Sequence, residues 1–185
     1  MTGLSSLWLP ILLSAVIVWV MSSVLHMVLR YHRADYAKLP NEDAAMDVLR
    51  SAPPADYVTP YSDSPSAMKD PVFLEKVKRG PMAMITIMKG DMMGSFKKSL
   101  TLWFVYALVV SAFAAYVAGR ARGPGTEYLE VFRFVGTVAF MGYALGLAQQ
   151  SIWYGRKWST TFRSMFDGLI YGLLTAGTFG WLWPK

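Results

Sequence analysis

The chain has 185 residues, 54% of them hydrophobic and only 16% charged, with a net charge of +6 and no cysteine. That charge share is low for a soluble domain, and the missing thiols exclude disulfides, thiolate metal sites, iron–sulfur clusters and cysteine nucleophiles within this chain. A positive balance suggests nucleic acid in a soluble protein; here much of it flanks apolar stretches, where it is a topology signal, and no nucleic-acid partner is expected.

Four apolar stretches, residues 7–29, 100–119, 131–154 and 162–183, approach or exceed the length a helix needs to cross hydrocarbon. Lipid offers the backbone no hydrogen-bonding partner, so spans of this kind are helical. The expected fold class is an all-α integral membrane protein: a four-transmembrane-helix bundle with a small cytoplasmic segment of short helices and room for a minimal β-hairpin. Residues 1–30 then hold the first helix, 31–98 the cytoplasmic segment, and 99–185 helices two to four.

The first stretch lacks a basic leader and an A-x-A-like cleavage site, and it ends in Arg30, Tyr31, His32 and Arg33. It reads as a retained helix with a stop-transfer flank. His26 and His32, the only histidines, are six apart and point in different directions on one continuous helix. Joint ligation would need facing helices or a second copy of the chain. No catalytic, cofactor or metal residue is assigned.

In the segment that follows, residues 41–50 read as a short helix with Glu42 and Asp43 in its first turn, where the helix dipole favours acids. Five prolines between 51 and 71 favour an extended strap. Asp70 is a good N-cap, Pro71 suits the first helical position, and Gly80-Pro81 is a stop signal for the helix between. Residues 82–88 alternate Met82, Met84, Thr86 and Met88 with Ala83, Ile85 and Ile87, a strand period that a pairing with residues 57–61 would satisfy.

Small residues recur at helical spacing: Ser111, Ala115 and Gly119, then Gly142 and Gly146, then Gly168 and Gly172. Such stripes let membrane helices approach closely, within one bundle or between copies. Asp167 and Arg163 lie one turn apart at the start of the fourth stretch and are expected to form an i,i+4 pair. With Gln149 and Gln150, close in depth, they make a candidate polar vestibule. No spans are interrupted in matching positions.

Lys and Arg near span ends mark the cytoplasmic side. Arg30, Arg33 and Lys38, then Lys89, Lys97 and Lys98, then Arg156, Lys157 and Arg163 share one side if both termini lie outside a cell membrane. Trp8, Trp181 and Trp183 would then anchor the outer interface and Trp103, Trp153 and Trp158 the inner one, with Trp19 near mid-span. There is no phosphate-binding loop, serine elbow or H-E-x-x-H. Three classes remain. The chain is a non-enzymatic accessory or assembly subunit or self-assembling scaffold, an oligomeric channel or small transporter using the vestibule, or an intramembrane cofactor-binding protein. The partners expected are the lipid bilayer and a second copy or a larger membrane complex.

Overall fold

The computed structural model describes residues 1–88 and 90–185, and Lys89, one of the basic positions noted before the second apolar stretch, lies outside them. In chain order the elements are α1 (Trp8–Ser23), α2 (Glu42–Leu49), β1 (Asp56–Thr59), α3 (Pro71–Arg79), β2 (Ala83–Thr86), α4 (Met92–Ala121), α5 (Tyr128–Tyr143), α6 (Ala148–Tyr154) and α7 (Trp158–Trp181). The chain divides into two compact units, one formed by Met1–Ala37 with Phe96–Lys185, the other by Lys38–Ser95. The turn after the first helix therefore belongs with the long helices and not with the loop segment. It is tied there by side-chain bonds from His32 and Asp35 to α7.

In the helical unit, Leu4–Val28, Met93–Ala121 and Tyr128–Tyr154 are long and apolar enough to cross a membrane. Helix α7 covers most of the fourth expected span but is not among these three, because Arg163, Asp167 and its glycines and threonines dilute its apolar content. Packing is inside-out by the standards of a soluble core. Ala15, Ala107, Ala114, Ala115, Ala118 and Ala139 are fully buried, while Leu9, Leu12, Val105, Val109, Phe113 and Leu173 face outward. Small residues inside let backbones come close where no hydrophobic drive operates between helices. Ser14 of α1 donates to Ser111 of α4 at 3.0 Å in the same buried layer.

The glycine stripes are used within the chain. A methyl on Gly168 would lie 2.8 Å from the Ala144 side chain, one on Gly142 3.0 Å from Val110, and one on Gly172 3.2 Å from the Phe140 backbone. Gly119 is closed over by the Thr2 carbonyl, 2.5 Å from where a Cβ would stand. Gly146 is different: among the described residues nothing lies within 4 Å of its would-be Cβ.

Both chain ends meet one end of this unit. The Thr2 amide donates to Gly119 O at 2.7 Å, Gly125 N donates to Pro184 O at 2.8 Å, and Trp183 Nε1 donates to Gly123 O at 2.9 Å. Trp183 is thus buried rather than standing as an exposed interfacial anchor.

Two of the expected continuous helices are interrupted. After Ser23 the first widens into a π turn, Val24–Val28, reaches an extended residue at Leu29 (φ −81°, ψ 128°), and resumes as a 3-10 turn over Arg30–Asp35. The third stops at Tyr143, passes Ala144 (φ −124°, ψ −49°) and a 3-10 turn at Leu145–Leu147, then continues as α6. Such breaks inside helices often mark functional positions.

In the unit Lys38–Ser95, β1 and β2 pair antiparallel in the register Asp56↔Thr86 to Thr59↔Ala83, so the alternation at 82–88 does signal a strand, shortened to four residues. Asp70 Oδ1 accepts from Val72 N at 2.7 Å to cap α3, and Gly80 (φ 63°) ends it in a conformation that favours glycine. None of the described residues of this unit is fully buried.

Candidate functional site

The break after Ser23 brings the two histidines together. Because Val24–Val28 is wound wider than an α-helix and Leu29 is extended, the chain doubles back, and the rings of His26 and His32 stack with centroids 4.4 Å apart. The expectation that they point apart assumed one regular helix, and that assumption fails here. Opposite them stands Asp167 of α7, its side chain 3% exposed.

Each ring nitrogen has an identifiable neighbour. His26 Nδ1 lies 3.0 Å from the Ser22 carbonyl oxygen, one turn back. A carbonyl only accepts, so this nitrogen carries the hydrogen. His26 Nε2 faces Asp167 Oδ2 at 3.8 Å. His32 sits between two carboxylates, with Nδ1 2.7 Å from Asp35 Oδ2 and Nε2 2.7 Å from Asp167 Oδ2. The other oxygen of Asp167 accepts from the Tyr31 hydroxyl, and the other oxygen of Asp35 accepts from Arg163.

Burial alone would raise the Asp35 carboxyl, but hydrogen bonds from His32 and Arg163, together with the guanidinium charge, outweigh it and hold the group below its ordinary value. Burial first, then the hydrogen bond to Asp167, pushes the Tyr31 hydroxyl up, so it remains a donor. Three ligand atoms of His26, His32 and Asp167 lie within 4.8 Å of one another, a set able to hold a metal ion.

Beside this cluster opens a cavity of about 570 Å³ between α1, α4, α5 and α7. His26 and Asp167 stand in its wall with Leu100, Trp103, Tyr143 and Tyr171. Trp103, half-buried, donates from Nε1 to Ser22 Oγ at 2.8 Å, so its indole packs against α1. Trp19 donates to the Leu100 carbonyl at 3.1 Å. Ser22, Ser23 and Ser164 donate their hydroxyls to backbone carbonyls three or four residues back, which leaves the wall largely apolar. Tyr171 is the exception. Its hydroxyl is buried and has no hydrogen-bond partner among the described residues. Both helix interruptions border the cavity, through His26 and Met27 on one side and Gly146 and Leu147 on the other. Irregular backbone at membrane depth is tolerated where it lines a cavity or is covered by protein.

Of the residues expected to form a vestibule, Asp167 alone reaches the cavity wall. Arg163 pairs with Asp35 and not with Asp167, because the 3-10 turn delivers a second carboxylate closer to the guanidinium. Gln149 and Gln150 are exposed on α6 and take no part. Sequence reasoning passed over Tyr31, Asp35 and Tyr171. The signal available was the density of chemistry within ten residues, His26, Tyr31, His32 and Asp35, at the end of an apolar stretch. Comparison with protein-family models, curated proteins and solved structures gives no match.

Proposed function

We propose that this is a multi-pass membrane protein that holds a membrane-borne apolar molecule in the cavity between its helices. The observation that carries this is the cavity of about 570 Å³ itself, apolar along most of its wall and interrupted by His26 and Asp167. Apolar pockets with few convergent polar groups are the usual form of a small-molecule site.

Helix α7 serves as a fourth span in this proposal. It is 24 residues long, meets the Arg30–Asp35 turn near its start and is followed, after Leu182, by Trp183, which bonds to Gly123 at the opposite end. Chain ends that meet on one side require an even number of crossings. The basic residues at Arg30, Arg33, Lys97, Lys98, Arg156 and Lys157 support an orientation with the cluster's end in the cytoplasm and both termini outside.

The test is organic extraction and mass spectrometry of the protein purified in mild detergent, beside Gly146→Trp. Gly146 lines the cavity, and no described atom stands within 4 Å of where its side chain would start, so a tryptophan there takes up cavity space. One apolar species should accompany the wild type and disappear in Gly146→Trp. Equal recovery from both would end the proposal.

A second reading, an accessory subunit, is favoured by Lys38–Ser95. There Met46, Val48, Met82, Met84 and Met88 are exposed in a unit with no buried core of its own among its described residues. Exposed apolar surface of this kind marks contact with a partner or a membrane. Co-purification of a defined membrane protein, lost when Met82, Met84 and Met88 become Ser, would support it.

A further inference from the structure

We infer that His26, His32 and Asp167 form a binding site for one first-row divalent transition-metal ion. The inference does not depend on what fills the cavity; it is carried by the way the imidazoles are held. Both histidines have Nδ1 committed to an acceptor, Ser22 O for His26 and the Asp35 carboxylate for His32. A neutral imidazole with Nδ1–H so engaged presents its lone pair at Nε2. Both Nε2 atoms point at the same oxygen, Oδ2 of Asp167, at 3.8 and 2.7 Å. Three acceptors therefore converge, and a cation has to stand among them, either a proton or a metal.

The outer contacts are those of a metal centre. Ligating histidines characteristically donate their second nitrogen to a carbonyl or carboxylate, which fixes ring orientation and raises basicity. Here His26 uses a carbonyl and His32 a carboxylate, and that carboxylate is itself held by Arg163. Asp167 is fixed through its other oxygen by Tyr31, leaving Oδ2 for the shared position. Donor atoms on one tetrahedral ion, each about 2.0–2.1 Å from it, lie roughly 3.3 Å apart. The three donors here all stand within 4.8 Å of one another, so small side-chain rotations bring them onto one ion. Two imidazoles with one carboxylate suit zinc, iron or cobalt rather than magnesium or calcium, which prefer all-oxygen sites. Three protein ligands leave coordination positions open, and His26 and Asp167 are in the cavity wall. A loaded ion would thus be reachable from the cavity.

The alternative occupant is a proton, with His32 as an imidazolium between Asp35 and Asp167. Cobalt(II) titration of the purified protein, stripped with a chelator, distinguishes the two. Visible d–d absorption should rise to one equivalent per chain and be displaced by zinc(II). His26→Gln should weaken cobalt binding at least tenfold. The His26 side chain is 52% exposed, so this change leaves the packed interior alone. Asp35→Asn should weaken binding about 10–100-fold through the His32 ring, without removing a ligand. A folded wild type that develops no cobalt absorption would overturn the metal site in favour of the proton clamp, and absorption unchanged in His26→Gln would overturn it by showing that the ion binds elsewhere. These readouts come from the donor atoms, so failure to recover an apolar ligand leaves them unaffected.

Discussion

Arg163 donates to Asp35, which comes from the turn after the first helix, although Asp167 lies one turn away on its own helix. The pairing links two carboxylates through one imidazole: Arg163 to Asp35, Asp35 to His32, and His32 to Asp167. Asp167 is thereby left to the histidines and Tyr31, and the end of the first helix is fastened to α7. A surface-type i,i+4 pair would have contributed a few tenths of a kcal/mol. The observed chain of bonds is mostly buried, and its members depend on one another.

A double-mutant cycle should therefore find stronger coupling between Arg163 and Asp35 than between Arg163 and Asp167. Using Arg163→Leu with Asp35→Asn and with Asp167→Asn, the first pair is expected to couple by about 0.5–3 kcal/mol. Thermal unfolding in detergent measures both cycles. Equal coupling in the two would mean that the guanidinium is shared between the carboxylates.

Asp167→Leu should be among the most destabilising single changes in the helical unit. It removes the acceptor for Tyr31 and the partner of His32, each left buried or part-buried. Unsatisfied groups of this type cost roughly 1–3 kcal/mol each. The same unfolding assay, with Phe166→Leu on the exposed neighbour as a reference, gives the comparison. A loss no larger than the reference would show that the cluster contributes nothing to the fold.

Two glycines separate packing from space. Gly168→Ala should destabilise by about 1–3 kcal/mol, since its methyl meets Ala144 at 2.8 Å and Tyr143 backbone at 3.0 Å. Gly146→Ala should be tolerated, because nothing stands within 4 Å. Melting temperatures of the two variants decide it; comparable losses would show that Gly146 packs against a neighbour after all.

Single cysteines test the orientation cleanly, since the chain has none. An impermeant maleimide applied to intact cells should label Lys185→Cys and spare Ser62→Cys, with both reacting after permeabilisation. Labelling of Ser62→Cys in intact cells would invert the proposed topology. Labelling of only one terminus, Lys185→Cys or the exposed Gly3→Cys, would remove α7 as a span.

Sequence alone determined the features that depend on local chemistry and period. Residue length and apolarity mark the three membrane-capable helices, and alternation at 82–88 marks the strand that pairs with Asp56–Thr59. Asp70, Pro71 and Gly80 set the bounds of α3 through capping and φ preference. The glycine positions also identify close helix approaches, except at Gly146, where the same residue type borders a cavity. Only the tertiary structure decided the candidate site. Placing His26 and His32 by helical period requires an unbroken helix, whereas the chain there adopts a π turn and an extended residue that no local residue announces. That bend is held by Asp167 and Arg163, some 130 positions away, whose bonds to His32, Tyr31 and Asp35 exist only in the folded chain. Trp183 follows the same logic: an amphipathic ring suits an interface, but a bond to the Gly123 carbonyl draws it inside. Contacts between distant segments outweigh local preference wherever a buried polar atom needs a partner.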